Sequence, residues 1–93
     1  MLYTKNNIRR EKVRNFDTTR YERFDTVDGI ITDCDDDSYR CYVRILETGK
    51  DVYFDGYGIK GSKVRLGVKS VNAKTGRTYW MLESVLDYGD YVA

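Results

Sequence analysis

The feature that most constrains the fold of this chain is the alternation of apolar and charged side chains along residues 63–71. Successive residues of a β-strand point to opposite faces of the sheet. Val64, Leu66 and Val68 therefore share one face, which predicts a hydrophobic core. The opposite face carries three cations, namely Lys63, Arg65 and Lys69. This strand is typical of a small barrel with an outer surface that suits a polyanion.

Four other segments have strand character and are separated by turns rich in Gly, Asp and Asn. The five predicted strands are 27–34, 39–46, 51–54, 63–71 and 77–85. Their other inward side chains are predicted to be Cys41, Val43, Ile45, Val52, Phe54, Thr78, Trp80 and Leu82. Gly29, inside the first strand, indicates a bend. Short strands with turns between them indicate a barrel or sandwich. The longest connection, 55–61, fits the five-stranded oligonucleotide/oligosaccharide-binding (OB) barrel, so the predicted fold class is all-β.

The first 25 residues lack strand alternation and carry seven Lys/Arg against four Asp/Glu. They predict a basic N-terminal arm over 1–25, with one or two helical turns over 7–15 if packing supports them. The barrel is assigned to 26–86 and a loosely ordered tail to 87–93. Phe16, Tyr21 and Phe24 are the side chains expected to anchor the arm on the barrel.

The composition argues against an enzyme. The chain has no His, and His is the commonest general base and the commonest metal ligand. Neither a nucleophile–base pair nor a Gly-rich phosphate loop occurs in the sequence. The acidic run that begins at Asp33 lacks the spacing of a calcium loop, because Ser38 and Arg44 stand where Gly and Glu are required. We therefore expect a binding module without metal or cofactor.

Cys34 and Cys41 are the only cysteines. Two ligands cannot build a structural zinc site. The sequence shows no signal peptide and no apolar run long enough to cross a bilayer, which predicts a cytoplasmic protein. Two reduced thiols are the expectation for that compartment, and a disulfide across the hairpin is the alternative.

Residues 26–86 resemble the S-one RNA-binding domain, an OB-fold module of the bacterial small ribosomal subunit, and are similar also to bacterial translation initiation factor one. The matching motifs are Gly29-Ile30-Ile31-Thr32, Tyr39-Arg40-Cys41-Tyr42-Val43, Val52-Tyr53-Phe54-Asp55, Gly61 to Val68 and Gly76-Arg77-Thr78-Tyr79-Trp80. The resemblance implies single-stranded RNA binding, with bases stacked on Tyr39, Tyr42 and Tyr53. Tyr53 stands at the family's histidine position and Asn72 at its usual Asp.

The predicted site combines these aromatics with cations expected to contact phosphates. Alternation alone places Tyr42 and Tyr53 outward. The predicted nucleic-acid-binding residues are Tyr39, Arg40, Tyr42, Arg44, Tyr53, Lys63, Arg65, Lys69, Asn72 and Arg77. We expect weak, sequence-tolerant binding of single-stranded RNA, and single-stranded DNA could use the same surface. The residues also have a structural interpretation, since Tyr suits half-buried strand positions and Lys and Arg protect strand surfaces.

The alternative function is a protein-interaction adaptor that docks a protein or ribonucleoprotein partner through the barrel face or the basic arm. Tyr and Arg are preferred anchors of protein interfaces. The net charge of +1 and the Asp-rich turn favour this alternative. Salt dependence separates the two functions, because an interface led by apolar anchors changes little with salt.

Overall fold

The computed structural model describes residues 14–89, and within them five strands close into a barrel. The strands are β1 (Thr26–Asp35), β2 (Arg40–Ile45), β3 (Asp51–Asp55), β4 (Lys63–Val71) and β5 (Thr78–Asp87). They follow the order β1-β2-β3-β5-β4 around the barrel, with β3 parallel to β5 and the other neighbours antiparallel. The predicted all-β fold class is confirmed, and the architecture is consistent with an OB-fold barrel.

Strand β1 closes the barrel because it pairs along one edge with β2 and along the other with β4. Gly29 lies where the two ladders overlap, opposite both Ile45 and Val64. A Cβ at this glycine would lie 2.5 Å from the Arg44 carbonyl oxygen and 2.5 Å from a Val43 methyl group. The predicted bend at Gly29 thus corresponds to a close backbone approach that excludes any side chain.

The barrel interior holds the apolar face that alternation predicts. Val64 and Leu66 are fully buried, and Phe54 is the largest of the fully buried side chains. The other buried apolar residues are Ile31, Cys41, Val43, Ile45, Val52, Val68 and Trp80. Burial of this surface is the main favourable contribution to folding. The inward assignments on β2, β3 and β4 are confirmed.

Leu82 lies on the predicted inward side, opposite the fully buried Leu66, but it is not buried in the core, since 36% of its surface is exposed. Strand β3 is only five residues long and meets β5 at a single pair, Phe54 with Trp80. Beyond Trp80, β5 continues beside β4 alone, as a two-stranded ribbon. Leu82 lies opposite Leu66 on this ribbon and has no third strand to cover it.

The described part of the arm, residues 14–25, contains no helix and instead follows the edge of β3. The Asp51 N–H donates to the Asn15 carbonyl oxygen at 2.9 Å, and the Asp17 N–H donates to the Asp51 carbonyl oxygen at 2.9 Å. Tyr21 then packs edge-on against Trp80, with 4.9 Å between ring centroids. Phe24, expected as a third anchor, is 82% exposed.

Part of the predicted organisation lies outside the described residues. The helical turns predicted over 7–15 fall there apart from residues 14 and 15, which are not helical. The last four residues of the predicted tail fall there too. Within the described range, no helix is long and apolar enough to cross a membrane.

Candidate nucleic-acid interface

Three aromatic rings form a continuous patch on the outside of the barrel. Tyr42 on β2 and Tyr53 on β3 lie directly opposite each other in the ladder, and their ring centroids are 6.2 Å apart. The arm brings Phe16 to 6.3 Å from Tyr42 and 6.2 Å from Tyr53. We call these three residues the tyrosine surface. All are half-buried or exposed, so they present aromatic area to solvent.

Three guanidinium groups surround the tyrosine surface. The Cζ atom of Arg14 lies 3.6 Å from the Tyr42 ring centroid, and that of Arg40 lies 4.0 Å from the Tyr53 centroid. Arg77 donates to the Tyr53 hydroxyl at 3.0 Å. Cation–π contacts of this kind stabilise exposed side chains by about 0.5–1 kcal/mol. The aromatic rings are therefore ordered before any ligand arrives.

Half of the predicted cations, Arg40, Arg44 and Arg65, are already paired with carboxylates. Arg40 donates to Asp55 at 2.9 Å and Arg44 to Asp51 at 3.2 Å. The hydrogen bond to Asp55 raises the pKa of the Arg40 guanidinium. Arg14 pairs with Asp33 in the same way, at 3.2 Å. These arginines can orient a ligand, but each brings little net charge to it.

Arg77 and Lys69 are the cations that give the tyrosine surface net positive charge. Neither makes an ion pair within residues 14–89. Arg77 also lies over Tyr79, with Cζ 5.4 Å from the ring centroid. Lys69 lines a depression of about 110 Å³ together with Tyr53 and Tyr79. The predicted sites Tyr42, Tyr53, Lys69 and Arg77, with Arg40, thus come together in space.

Lys63 and Arg65 lie elsewhere on the barrel, although their predicted outward orientation is correct. Lys63 stands opposite Ile30 and Arg65 opposite Asp28, both on β1. Arg65 donates to both carboxylate oxygens of Asp28, at 2.8 and 3.1 Å. Tyr42 is level with Asp33, which lies five residues of β1 (roughly 16 Å) from Asp28 and three residues (roughly 10 Å) from Ile30.

Tyr39 forms a separate aromatic pair at the end of the β1–β2 hairpin. Its backbone has a φ of 59°, and its carbonyl oxygen accepts a hydrogen bond from the Gly56 N–H at 2.8 Å. Its ring packs edge-on against Tyr57, with 4.5 Å between centroids. No ring contact joins Tyr39 to Tyr42 or Tyr53. The left-handed backbone turns this residue away from the strand alternation.

Asn72 has a structural place in the β4–β5 turn. Its side-chain oxygen accepts the N–H groups of Lys74 and Thr75 at 2.9 and 3.0 Å. Its backbone N–H donates to the Arg77 carbonyl oxygen at 2.8 Å. These bonds fix the turn that carries Arg77 to Tyr53. Asn72 therefore supports the site by positioning its cation.

A cleft of about 320 Å³ continues the tyrosine surface between the arm, β3 and the β4–β5 turn. Phe16, Tyr53, Arg77 and Trp80 contribute to its walls. Thr78 also lines it, although its hydroxyl is buried and has no hydrogen-bond partner among the described residues. The cleft therefore offers aromatic rings and a cation to a planar polar ligand.

Hydrogen bonds within the arm hold one side of this cleft in place. The Tyr21 hydroxyl donates to the Asp17 carboxylate at 2.5 Å. Burial, and next this hydrogen bond, raise the pKa of Tyr21 to about 12. Burial acts to raise the pKa of Asp17, but the hydrogen bonds from Tyr21 and Thr19 outweigh it, so that pKa is lowered.

Sequence reasoning missed Arg14 and Phe16 as part of the site. Phe16 is expected only as an anchor, and Arg14 only as part of a basic arm that could bind RNA or dock a protein, not as part of the barrel face. The segment lacks strand alternation, because it meets β3 at a single parallel bridge, Phe16 with Asp51. Its contact with Tyr42 and Tyr53 depends on the arm returning along the barrel, for which the sequence carries no local signal.

No group of three or more Cys, Asp or Glu side chains within residues 14–89 is arranged to hold a metal ion. Comparisons with protein-family models, with curated proteins and with solved structures found no match for this chain. The resemblance to the S-one domain therefore stays a prediction, and the function has to be argued from the site itself.

Proposed function

We propose that this protein is a non-catalytic module that binds single-stranded RNA across the tyrosine surface. The observation that carries the proposal is the pairing of Tyr42 and Tyr53 on the outer face of β2 and β3, with Arg77 hydrogen-bonded to the edge of that pair. Base–aromatic stacking and cationic contacts to phosphates are the two elements of sequence-tolerant single-strand binding. The same surface holds both.

Binding by this mechanism is weak for a physical reason. Arg14 and Arg40 already lie over the faces of Tyr42 and Tyr53. A base must either displace a guanidinium or stack on its exposed plane. Displacement loses a cation–π contact of about 0.5–1 kcal/mol and regains about 1–3 kcal/mol from stacking. The net gain for each base is therefore small.

We expect the phosphates of the RNA to contact Arg77 and Lys69, because these two cations lack carboxylate partners in the described chain. With about two phosphates neutralised, binding should weaken only moderately as salt rises, with a slope in log K against log salt of roughly −1.4. Bases that leave the stack can enter the adjoining cleft, between the rings of Phe16 and Tyr53.

An amide chemical-shift titration tests this proposal. Isotope-labelled protein is titrated with a short mixed-sequence RNA at low salt, and then with DNA of the same sequence. We expect shifts at Tyr42, Tyr53 and Arg77 that disappear as salt is added. Equal shifts with DNA would assign the surface to single strands in general. No shifts at these residues would exclude the tyrosine surface as a nucleic-acid site.

A second candidate function, docking of a partner protein, is favoured by the exposed ribbon of β5. Exposed apolar side chains occur along it and just beyond its end, namely Met81, Leu82, Val85, Leu86 and Tyr88. Exposed apolar surface of this kind is typical of interaction sites. Leu86→Glu should abolish a partner complex of this kind and leave RNA binding unchanged. Loss of RNA binding instead would assign the ribbon to the RNA site.

A further inference from the structure

The two cysteines face each other across the open end of the β1–β2 hairpin. Cys34 and Cys41 are direct partners in the antiparallel ladder. Their Sγ atoms are 2.7 Å apart, and both are free thiols. The Cα atoms of directly opposed residues in an antiparallel pair are separated by about 4.5–5.5 Å, which lies inside the range for disulfides. Bond formation therefore requires no change in the strand register.

The two thiols differ in their access to solvent. Cys34 is half-buried at the barrel surface, whereas Cys41 is 1% exposed. Burial, and next the hydrogen bond with Cys34, raise the pKa of the Cys41 thiol above its ordinary value. The loop after β3 covers this pair, because a Cβ on Gly58 would lie 3.1 Å from the Cys41 sulfur. An external reagent therefore reaches Cys34 first.

Acidic side chains surround the accessible thiol. Cys34 shares a surface depression with Arg14 and with four carboxylates, those of Asp33, Asp35, Asp36 and Asp37. Among the described residues, the charge of this depression is negative, because Arg14 offsets only Asp33. Anionic reagents should be repelled and cationic ones attracted, and salt should reduce both effects.

We propose that Cys34 and Cys41 are a reversible dithiol site that a small cationic disulfide oxidises to a cross-strand disulfide. The Cys34 thiolate attacks one sulfur of the reagent, the reagent's S–S bond breaks, and one thiol leaves. Cys41 then releases its proton to solvent and attacks the Cys34 sulfur, which expels the second thiol. The protein loses two electrons and two protons, and the reagent is reduced to two thiols.

Oxidation would remove the two S–H groups, which have the loop carbonyls and each other as alternative acceptors. The Cys41 sulfur lies 3.4 Å from the Gly56 carbonyl oxygen, and the Cys34 sulfur lies 3.5 Å from that of Gly58, both within reach of S–H donation. The disulfide has no S–H groups, so these two donors disappear. Tyr57, which packs on Tyr39, lies between the two glycines. The site thus links a redox change to the position of this aromatic pair.

The test uses the folded, reduced protein with cystamine as the probe, followed by intact-mass analysis. The expected product has lost two hydrogen atoms, carries no cysteamine, contains a 34–41 cross-link in its peptides and reverts with a reductant. Glutathione disulfide, which is anionic, should react several-fold more slowly at low salt, and added salt should narrow the difference. Amide shifts should change at residues 56–58.

Two single variants keep the result interpretable. Cys41→Ser should accumulate a stable cysteamine adduct on Cys34, whereas Cys34→Ser should stay unreacted while folded. Trp80 fluorescence and the urea midpoint report whether each variant is folded. A persistent adduct on the wild-type protein, or reaction only after unfolding, would overturn the proposal. Equal rates with cystamine and glutathione disulfide would overturn its cationic specificity.

Discussion

The tyrosine surface and the surface between β1 and β4 are both outward, and both carry Lys or Arg at strand positions. On the tyrosine surface, the cations pack on aromatic rings, and Arg77 has no carboxylate partner among the described residues. On the β1–β4 surface, which we define by Asp28, Ile30, Lys63 and Arg65, Arg65 makes a bidentate pair with Asp28. The first is suited to a polyanion with planar bases, and the second is largely self-neutralised.

An outward cation is therefore not by itself a binding residue. Strand alternation determines the side of the sheet a residue occupies, but its neighbours depend on the register between strands. Ile30 of β1 pairs with Arg44 on one side and with Lys63 on the other, and Asp28 pairs with Arg65. Only register and barrel closure separate these residues from Tyr42 and Tyr53.

The largest predicted effect comes from removing the aromatic rings. The double variant Tyr42→Ala, Tyr53→Ala should lose about tenfold or more of its RNA affinity, because each stacked base contributes about 1–3 kcal/mol. The matched double variant Lys63→Ala, Arg65→Ala should lose much less. Fluorescence anisotropy with a labelled single-stranded RNA measures both. Equal losses would end the distinction between the two surfaces.

A smaller effect is expected when one unpaired cation is removed from each surface. Arg77→Ala should make the slope of log K against log salt less steep by about 0.7, because one phosphate contact is lost. Lys63→Ala should leave the slope unchanged, since Lys63 lies on the β1–β4 surface. A salt series of binding constants for both variants measures the difference. A change of this slope in Lys63→Ala would show that the bound RNA strand crosses β1.

Alkaline pH should lower the free energy of unfolding through Tyr21, which lies in the arm. The pKa of Tyr21 is raised in the folded protein to about 12 from its ordinary value of 10.0. The unfolded state therefore loses this proton first, so the contribution of Tyr21 is complete below about pH 10 and is lost as pH rises towards 12. In Tyr21→Phe, the free energy of unfolding should fall less over that window.

Urea unfolding followed by the fluorescence of Trp80, the single tryptophan, measures this dependence. Tyr57→Phe is the control, because Tyr57 is 74% exposed and lies away from the arm's hydrogen bonds. If the free energy of unfolding falls equally with rising pH in wild type and in Tyr21→Phe, the alkaline effect does not come from Tyr21.

The smallest effect is expected from acid on the β1–β4 surface. The hydrogen bond from Arg65 lowers the pKa of Asp28, so this contribution is present above the unfolded pKa of 3.8 and is lost as pH falls through the folded value. Both partners are partly exposed, and such pairs contribute little. Asp28→Asn should barely change the urea midpoint at neutral pH, and Asp36→Asn is the exposed control.

Much of the barrel could be predicted from the sequence, because its strands alternate and its turns carry Gly, Asp and Asn. Strand β4 was expected over 63–71 and occupies those residues. Burial on β5 was predicted correctly at Trp80 and wrongly at Leu82, which lies on the predicted side but stays exposed. The error arose because alternation cannot reveal that β3 ends after five residues and leaves the ribbon uncovered.

The candidate site was less predictable than the fold. Alternation predicts that Tyr42 and Tyr53 point outward, and the resemblance to the S-one domain groups them in one site. Tyr39 could not be separated from them, because its positive φ is a property of the turn. The place of Phe16 in the site could not be predicted, because a segment held by one parallel bridge shows no alternation in its sequence.

The course of the arm along β3 has a consequence for how the chain can be shortened. Asp51 donates its N–H to the Asn15 carbonyl oxygen and accepts the Asp17 N–H at its own carbonyl oxygen. Its carboxylate also accepts the Asn15 N–H at 2.9 Å. A fragment beginning at residue 26 keeps every strand of the barrel but uncovers this edge. Unpaired strand edges recruit other chains. Residues 15–17 therefore cover an edge that would otherwise be open to pairing. We expect a fragment without them to self-associate.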